Sequence, residues 1–333
     1  MSQAMMRAAW YQRQGAARDV LEVGELAIPQ PAAGEVRVQL AYSGINPTDV
    51  KSRSFRPGRG MGFPLIVPHH DGAGVIDAIG EGVPAERLGQ RVWIYEAQYG
   101  RQFGSAAQYV SLPQHQAVRL PDHVSFEDGA CLGITAMTAH RCLFADGPIA
   151  GKTILITGAA GGVGQYAVQI AKWGGATVIA TVSNDSKAEQ ARAIGADHII
   201  NYRNENVIER VRQISPDGVD RVVDVAFGAN LAASVELLKP SGVIASYASD
   251  AEPTPSIPFW EMLGKDLSVR FVLVYLMGDQ AHRDAVRDIS AILEQQPLKP
   301  VELQILPLAE IASAHEALET GHTAGKILLD PNR

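Results

Sequence analysis

Cysteine is scarce in this chain. Only Cys131 and Cys142 occur among 333 residues, both in an apolar, helix-like stretch, so no disulfide framework is available and a reducing compartment, the cytoplasm, is expected. No uninterrupted apolar run reaches the ~20 residues that a membrane-spanning helix needs. Met1–Arg7 lacks a basic region followed by an apolar run, so no secretory leader is expected either. Basic excess is also absent: the formal net charge is −7. That leaves no electrostatic footprint for nucleic acid or an anionic membrane and favours a small-molecule partner. There is no internal repeat and no low-complexity linker. What remains is the composition of an ordinary soluble protein, long enough for two domains with sizeable cores.

The most informative segment is Thr153-Ile154-Leu155-Ile156-Thr157-Gly158-Ala159-Ala160-Gly161-Gly162-Val163-Gly164. It reads as a buried strand, a glycine-rich turn and the start of a helix over Gln165–Trp173. A dinucleotide site requires that order, because bare chain must turn tightly and aim unpaired helix N–H groups at a pyrophosphate. Glycines alone also serve hairpins and caps; the flanking strand and helix make the signal specific. Candidate cofactor contacts are Gly158, Ala160, Gly161, Gly162, Val163 and Gly164. The next strand, Thr177–Val182, ends at Ser183 where an NAD site usually carries Asp or Glu. Ser183 can hydrogen-bond a ribose 2′-phosphate and Lys187, one helical turn on, can neutralise it, so NADPH is expected over NADH.

Short alternating strands punctuated by Gly and Pro run from Arg7 to about His123, an all-β style segment. From Val124 the pattern becomes helix and strand in alternation: helix Phe126–Phe144, strand Thr153–Thr157, strand Thr177–Val182, helix Lys187–Ile194, strands Val219–Val225 and Gly242–Ala248. That pattern predicts an α/β doubly wound parallel sheet. The apolar, β-rich run Leu267–Leu276, helix Asp279–Gln296, the short segment Leu303–Pro307, helix Ala309–Thr320 and strand Gly325–Leu329 follow. The expected division is residues 1–123 with 277–333, and residues 124–276.

Segments along nearly the whole chain resemble the zeta-crystallin-like quinone oxidoreductases, a zinc-free branch of the medium-chain dehydrogenase/reductase superfamily. They are Ser43-Gly44-Ile45-Asn46-Pro47-Thr48-Asp49, Asp71-Gly72-Ala73-Gly74-Val75-Ile76 with Gly80-Glu81-Gly82-Val83, Gly104-Ser105-Ala106-Ala107-Gln108-Tyr109, Gly161-Gly162-Val163-Gly164, Gly195-Ala196-Asp197 and Gly325-Lys326. The resemblance implies a GroES-like β-rich catalytic domain plus a Rossmann domain, an active site in the cleft between them, and NADPH-dependent reduction of quinones or related activated alkenes. It puts Asn46 near the nicotinamide and substrate, Thr135 in the nicotinamide pocket, and Tyr202 beside the adenosine phosphate with Ser183 and Lys187. It also puts Gly228, Tyr247, Ala248, Ser249, Val272, Leu273 and Val274 along the cofactor. Tyr247-Ala248-Ser249 departs from relatives that carry a glycine at that loop.

The superfamily's alternative is zinc chemistry. His69-His70-Asp71 resembles one ligand region of its alcohol dehydrogenases, but the positions of the other ligands hold Asn46 and fall near Leu132, so no metal is expected. Without a Lewis acid, a quinone or enone is the fitting acceptor, since its π system spreads the incoming charge. Asn46 is expected to donate an amide hydrogen bond to the acceptor oxygen, the final proton coming from water; the competing role for Asn46 is that of a turn residue before Pro47. Rival functions are an NADPH-dependent enoyl or enone reductase and a non-catalytic NADPH-binding protein. Phe259, Trp260, Phe271 and Tyr275 are expected to fill the core or a subunit contact rather than line an acyl groove. In the superfamily the Rossmann-sheet edge corresponding to the strand-like run Leu267–Leu276 pairs with its twin, so the resemblance implies a homodimer, with a tetramer also open.

Overall fold

The computed structural model describes residues 4–54, 60–300, 302–321 and 325–333. One compact unit comprises the residues up to Thr135 with Leu293–Arg333, the other Ala136–Ile292. The sequence puts the borders at 123/124 and 276/277. In the structure the division falls inside two helices, Gly133–Phe144 and Asp279–Gln295, whose continuous ladders no sequence signal interrupts.

The first unit is β-rich. Strands β1 (Met5–Trp10) and β2 (Glu22–Ala27) pair antiparallel. They are followed by β3 (Glu35–Gly44), β4 (Asp71–Ile79), β5 (Arg91–Ile94), β6 (Tyr109–Pro113) and β7 (Ala117–Arg119). Alternation makes β3 half-buried: Val36, Val38 and Leu40 fill the core while Gln39 faces out. Each such buried side chain contributes about 1.5–3 kcal/mol. On β4 a Cβ at Gly74 would lie 2.0 Å from the Gln39 carbonyl oxygen, so only glycine permits this backbone approach.

The second unit carries β8 (Thr153–Ile156), β9 (Thr177–Val182), β10 (His198–Asn201), β11 (Val219–Asp224), β12 (Leu238–Ser246) and β13 (Ser268–Phe271). Among the described residues they form one parallel sheet in the order β10-β9-β8-β11-β12-β13. That is the 3-2-1-4-5-6 arrangement of a doubly wound dinucleotide fold, and its topological switch lies between β8 and β11. Ile154, Leu155, Ile156, Val222 and Val223 are all buried, as strands covered on both faces must be.

The chain then returns to the first unit as β14 (Leu303–Pro307) and β15 (Lys326–Asp330). The first sheet reads β14-β15-β3-β4-β5-β7, with β6 also on β3. Both expected architectures are present, with local corrections. The expected helix Phe126–Phe144 is two, Phe126–Gly129 and Gly133–Phe144. A Cβ at Gly133 would lie 2.2 Å from Asp71 Oδ1, so the break makes room for that carboxylate. Leu267–Leu276 is strand only over β13, followed by a 3-10 turn at Val274–Leu276. Phe259, Trp260 and Phe271 are exposed rather than core, Trp260 by 78%; β13 is the sheet's edge, and Phe271 meets the Phe227 ring edge-to-face at 5.2 Å.

Candidate active site

The glycine-rich turn lies at the switch point. Gly158 has φ 62°, a left-handed conformation costly for other residues. A Cβ on Gly164 would lie 2.3 Å from the Gly158 carbonyl oxygen. The turn closes through Gly161 N–H to Gly158 O at 2.9 Å and is pinned to β9 by Ala159 N–H to Thr181 O at 3.0 Å. The helix Gly164–Trp173 that follows has no side-chain cap. The Gln165 N–H is taken by Gly161 O at 3.1 Å, and the start of the helix is the positive end of its dipole. A close-packed, uncapped turn of this kind fits a pyrophosphate.

A cavity of about 290 Å³ opens beside it, lined by Thr157, Gly158, Thr181, Tyr202, Val225 and Asn230 among others. Parallel pairing of β9 with β10 sets Val182 opposite Asn201, which brings Ser183 and Tyr202 to adjacent strand ends. Lys187 is exposed in the first turn of the helix Asp185–Ala193, where Asn184 Oδ1 accepts its backbone N–H at 2.9 Å. Beside them the Arg203 guanidinium sits 5.7 Å from the centre of the Tyr202 ring. Asp185, an unwelcome charge near a phosphate, accepts from Asn201 Nδ2 at 3.3 Å.

Asp224, at the end of β11, was not among the sequence candidates. Its Oδ1 accepts from Thr157 Oγ1 at 2.8 Å, Asn230 Nδ2 at 2.8 Å and Ala226 N–H at 3.0 Å. It thereby ties the ends of β8 and β11 together across the switch. Gly228, Tyr247, Ala248 and Ser249 gather here too. Gly228 N–H donates to Ser249 Oγ at 3.0 Å, and Phe227 N–H to Ala248 O at 3.0 Å. The Gly228 N–H is thus engaged within the protein. Val272 and Val274 are buried just past β13, while Leu273 is 53% exposed.

The first unit holds a buried polar cluster around Asn46. The Asn46 backbone N–H donates to Asp49 Oδ2 at 2.7 Å, fixing the start of the helix Pro47–Arg53. Its side chain does something else. Oδ1 accepts from Lys326 Nζ at 2.7 Å, and Nδ2 donates to Asp71 Oδ2 at 2.7 Å. Ammonium only donates, so the amide cannot be flipped in this setting. A turn residue would spend that oxygen on local backbone; here it faces a residue from the other end of the chain.

Asp71 also accepts the Ile134 N–H at 2.8 Å, at the N-terminus of the helix Gly133–Phe144, and lies 3.6 Å from Lys326 Nζ. Thr135, next along, donates its hydroxyl to Cys131 O at 2.5 Å, so it can accept a further bond but not give one. Burial drives Asp49 well above the usual carboxylate range and raises Asp71 less strongly, with Lys326, Asn46 and Ile134 opposing it. Two N–H donors on Asp71 fit its ionised form.

A second chain of bonds runs from the Asp71 backbone. Ser105 Oγ donates to Asp71 O at 2.6 Å, so Ser43 Oγ must donate to Ser105 Oγ at 3.1 Å and accept from His69 Nδ1 at 2.9 Å. That leaves His69 Nε2 to accept from His315 Nε2 at 2.9 Å. Burial depresses all three histidines here, His70 and His315 to about 3, so the rings are neutral near pH 7.

Zinc catalysis takes three protein donors and an open position. Among the described residues no group of three His, Cys, Asp or Glu side chains is placed to hold an ion. His70 has Asp49 Oδ1 at 3.7 Å, but the neighbouring position is Asn46, and the Lys326 ammonium would repel a cation. These residues do not fit a catalytic metal. Residues 162–291 match the zinc-binding dehydrogenase family, and residues 32–122 match the alcohol dehydrogenase GroES-like domain. Human quinone oxidoreductase is 29% identical over 308 residues, which cover 92% of this chain and 92% of that protein.

The chain belongs to the zinc-free quinone oxidoreductase group of the medium-chain superfamily. Solved structures agree on the fold of this group member along nearly its whole length. A mycobacterial protein complexed with NADPH is 25% identical with a TM-score of 0.83, covering 98% of this chain and 100% of that one. An NAD-dependent alcohol dehydrogenase is 28% identical with a TM-score of 0.84, covering 98% and 99%. Within this oxidoreductase, the glycine turn and Ser183, Lys187 and Tyr202 collect at one end of the parallel sheet; Asn46 and Ile134, the residue before Thr135, both donate to Asp71, while the Thr135 hydroxyl bonds Cys131 O. Lys326 was read only as part of a terminal motif, and Asp224 gave no motif at all.

Proposed function

We propose that this protein is an NADPH-dependent reductase that delivers hydride to quinones or similar conjugated carbonyl acceptors without zinc. The observation that carries this reading is the Asn46 amide locked between Lys326 and Asp71, at the position where metal-dependent relatives would need a ligand. NADPH, when bound, supplies the hydride. Gly158, Gly161, Gly162, Gly164 and the uncapped helix would hold its pyrophosphate, and Ser183, Lys187 and Tyr202 its 2′-phosphate. Asn46 Nδ2 has one N–H beyond that given to Asp71, and this N–H donates to the acceptor oxygen as charge develops there. A conjugated acceptor needs no stronger electrophile, and water supplies the final proton. Steady-state oxidation of NADPH against quinone and enone panels tests the assignment; saturation of enones with quinones inert would favour the enoyl reductase. Tight NADPH binding with no acceptor used would favour a non-catalytic role.

The preference for NADPH rests on Lys187 and the absence of a carboxylate at Ser183. Replacing Lys187 by alanine is expected to weaken NADPH roughly tenfold and leave NADH nearly unchanged, the loss of one charge-assisted contact. Parallel fluorescence titrations check this. Equal weakening of both cofactors would remove Lys187 from the phosphate site.

We further propose a homodimer through the edge strand β13. Phe271, Leu273 and Leu276 are exposed by 70%, 53% and 71%, and Trp260 by 78%, an apolar edge of the kind that associates. Sedimentation at micromolar concentration is expected to give a dimer for the native chain and a monomer for the Trp260→Glu, Phe271→Glu double variant. A native monomer contradicts the interface. The two buried cysteines, neither of them in a disulfide, suit a reducing compartment, and among the described residues no helix is long and apolar enough to cross a membrane.

A further inference from the structure

We infer that Lys326, held against Asp71, is the positioning residue that orients the Asn46 amide and strengthens its remaining N–H as a donor; this rests on the acceptor-binding role given to Asn46 above. The lysine reaches Asn46 through the return strand. β15 pairs antiparallel with β3, Leu328 opposite Gly44 and Leu329 opposite Ser43, and Ile45 N–H donates to Ile327 O at 3.1 Å. That register delivers Lys326 Nζ to 2.7 Å from Asn46 Oδ1, 3.4 Å from Ile45 O and 3.6 Å from Asp71 Oδ2. Both charged groups are out of water: the Lys326 side chain is 4% exposed and Asp71 0%.

Such an arrangement is a poor way to gain stability. A buried ion pair gains little over well-packed apolar residues of similar volume, so methionine and leucine would anchor β15 as well. What apolar residues would not supply is direction. Lys326 can only donate, so it selects the amide rotamer with oxygen toward itself and nitrogen toward Asp71. A cation on the amide oxygen also draws density from the nitrogen, polarising the N–H groups along the chain of bonds.

The test is a double-mutant cycle between Lys326→Met and Asn46→Ala. NADPH-dependent quinone reduction at saturation is read alongside NADPH affinity and thermal unfolding. Lys326→Met is expected to lower kcat about tenfold or more while changing NADPH affinity less than about twofold, and the double variant is expected to match Asn46→Ala alone. Losses that multiply in the double variant, or a loss of NADPH affinity with kcat unchanged, would overturn the inference. If Lys326→Met does not fold, Lys326→Leu, which likewise gives Asn46 no donor, carries the same reading. Failure of both to fold would make Lys326 a stability residue only. A native protein that reduces no acceptor sinks the proposed function instead. The orientation is then read from the side-chain amide of ¹⁵N-labelled Asn46. Two distinct, exchange-protected proton lines that merge or lose protection in Lys326→Met support the inference, and lines unchanged by the substitution overturn it.

Discussion

Replacing Gly164 by valine is expected to weaken NADPH binding at least ~100-fold, about 2.8 kcal/mol, while leaving the protein folded. The reason is local. Even the first added carbon would stand 2.3 Å from Gly158 O, 2.9 Å from Ala159 Cα and 3.0 Å from Gly158 C. All three are backbone atoms of the turn itself, so the turn must move. Gly158 already occupies φ 62° and closes the loop by accepting from Gly161 N–H, and the helix N–H groups aimed at the pyrophosphate would be displaced with it. Gly264→Ala is the control, since a Cβ there meets nothing within 4 Å. Titration of NADPH by fluorescence, with thermal unfolding alongside, checks both variants. Affinity within threefold of native in Gly164→Val would remove this turn from the cofactor site.

Asn46→Ala is expected to lower kcat with quinones about 100-fold, the scale seen when one donor to a developing oxyanion is lost. The substitution also leaves Lys326 Nζ and Asp71 Oδ2 without the amide that bridges them, a buried loss of ~1–3 kcal/mol in stability. The two effects separate cleanly. The backbone N–H of residue 46 that bonds Asp49 survives in alanine, so the start of the helix Pro47–Arg53 keeps that bond. A folded variant with a lower melting point and native kcat would reduce Asn46 to a structural role.

What could be read from the sequence was local and periodic. Strands such as Thr153–Ile156 and Thr177–Val182, and the glycine turn between the first of them and its helix, announce themselves through continuous apolar runs and crowded glycines. β10 escaped because it is four residues long with His198 and Asn201 at its ends, and β2 because Glu22-Val23-Gly24-Glu25 lacks clear alternation of apolar side chains. The cluster around Asn46 was hidden for a different reason. Residues 46, 71, 134 and 326 become neighbours only when β15 returns to β3 and Gly133 breaks a helix, and no spacing in the chain encodes that meeting. The same applies to His69 and His315, joined at 2.9 Å from distant segments.

The most direct test is oxidation of NADPH at 340 nm by purified, chelator-treated protein with quinones, enones and simple ketones as acceptors, NADH run in parallel. The account expects quinone-dependent oxidation that survives chelation and prefers NADPH, with ketones inert. Activity lost on chelation and restored by zinc, or confined to simple ketones and alcohols, would contradict it.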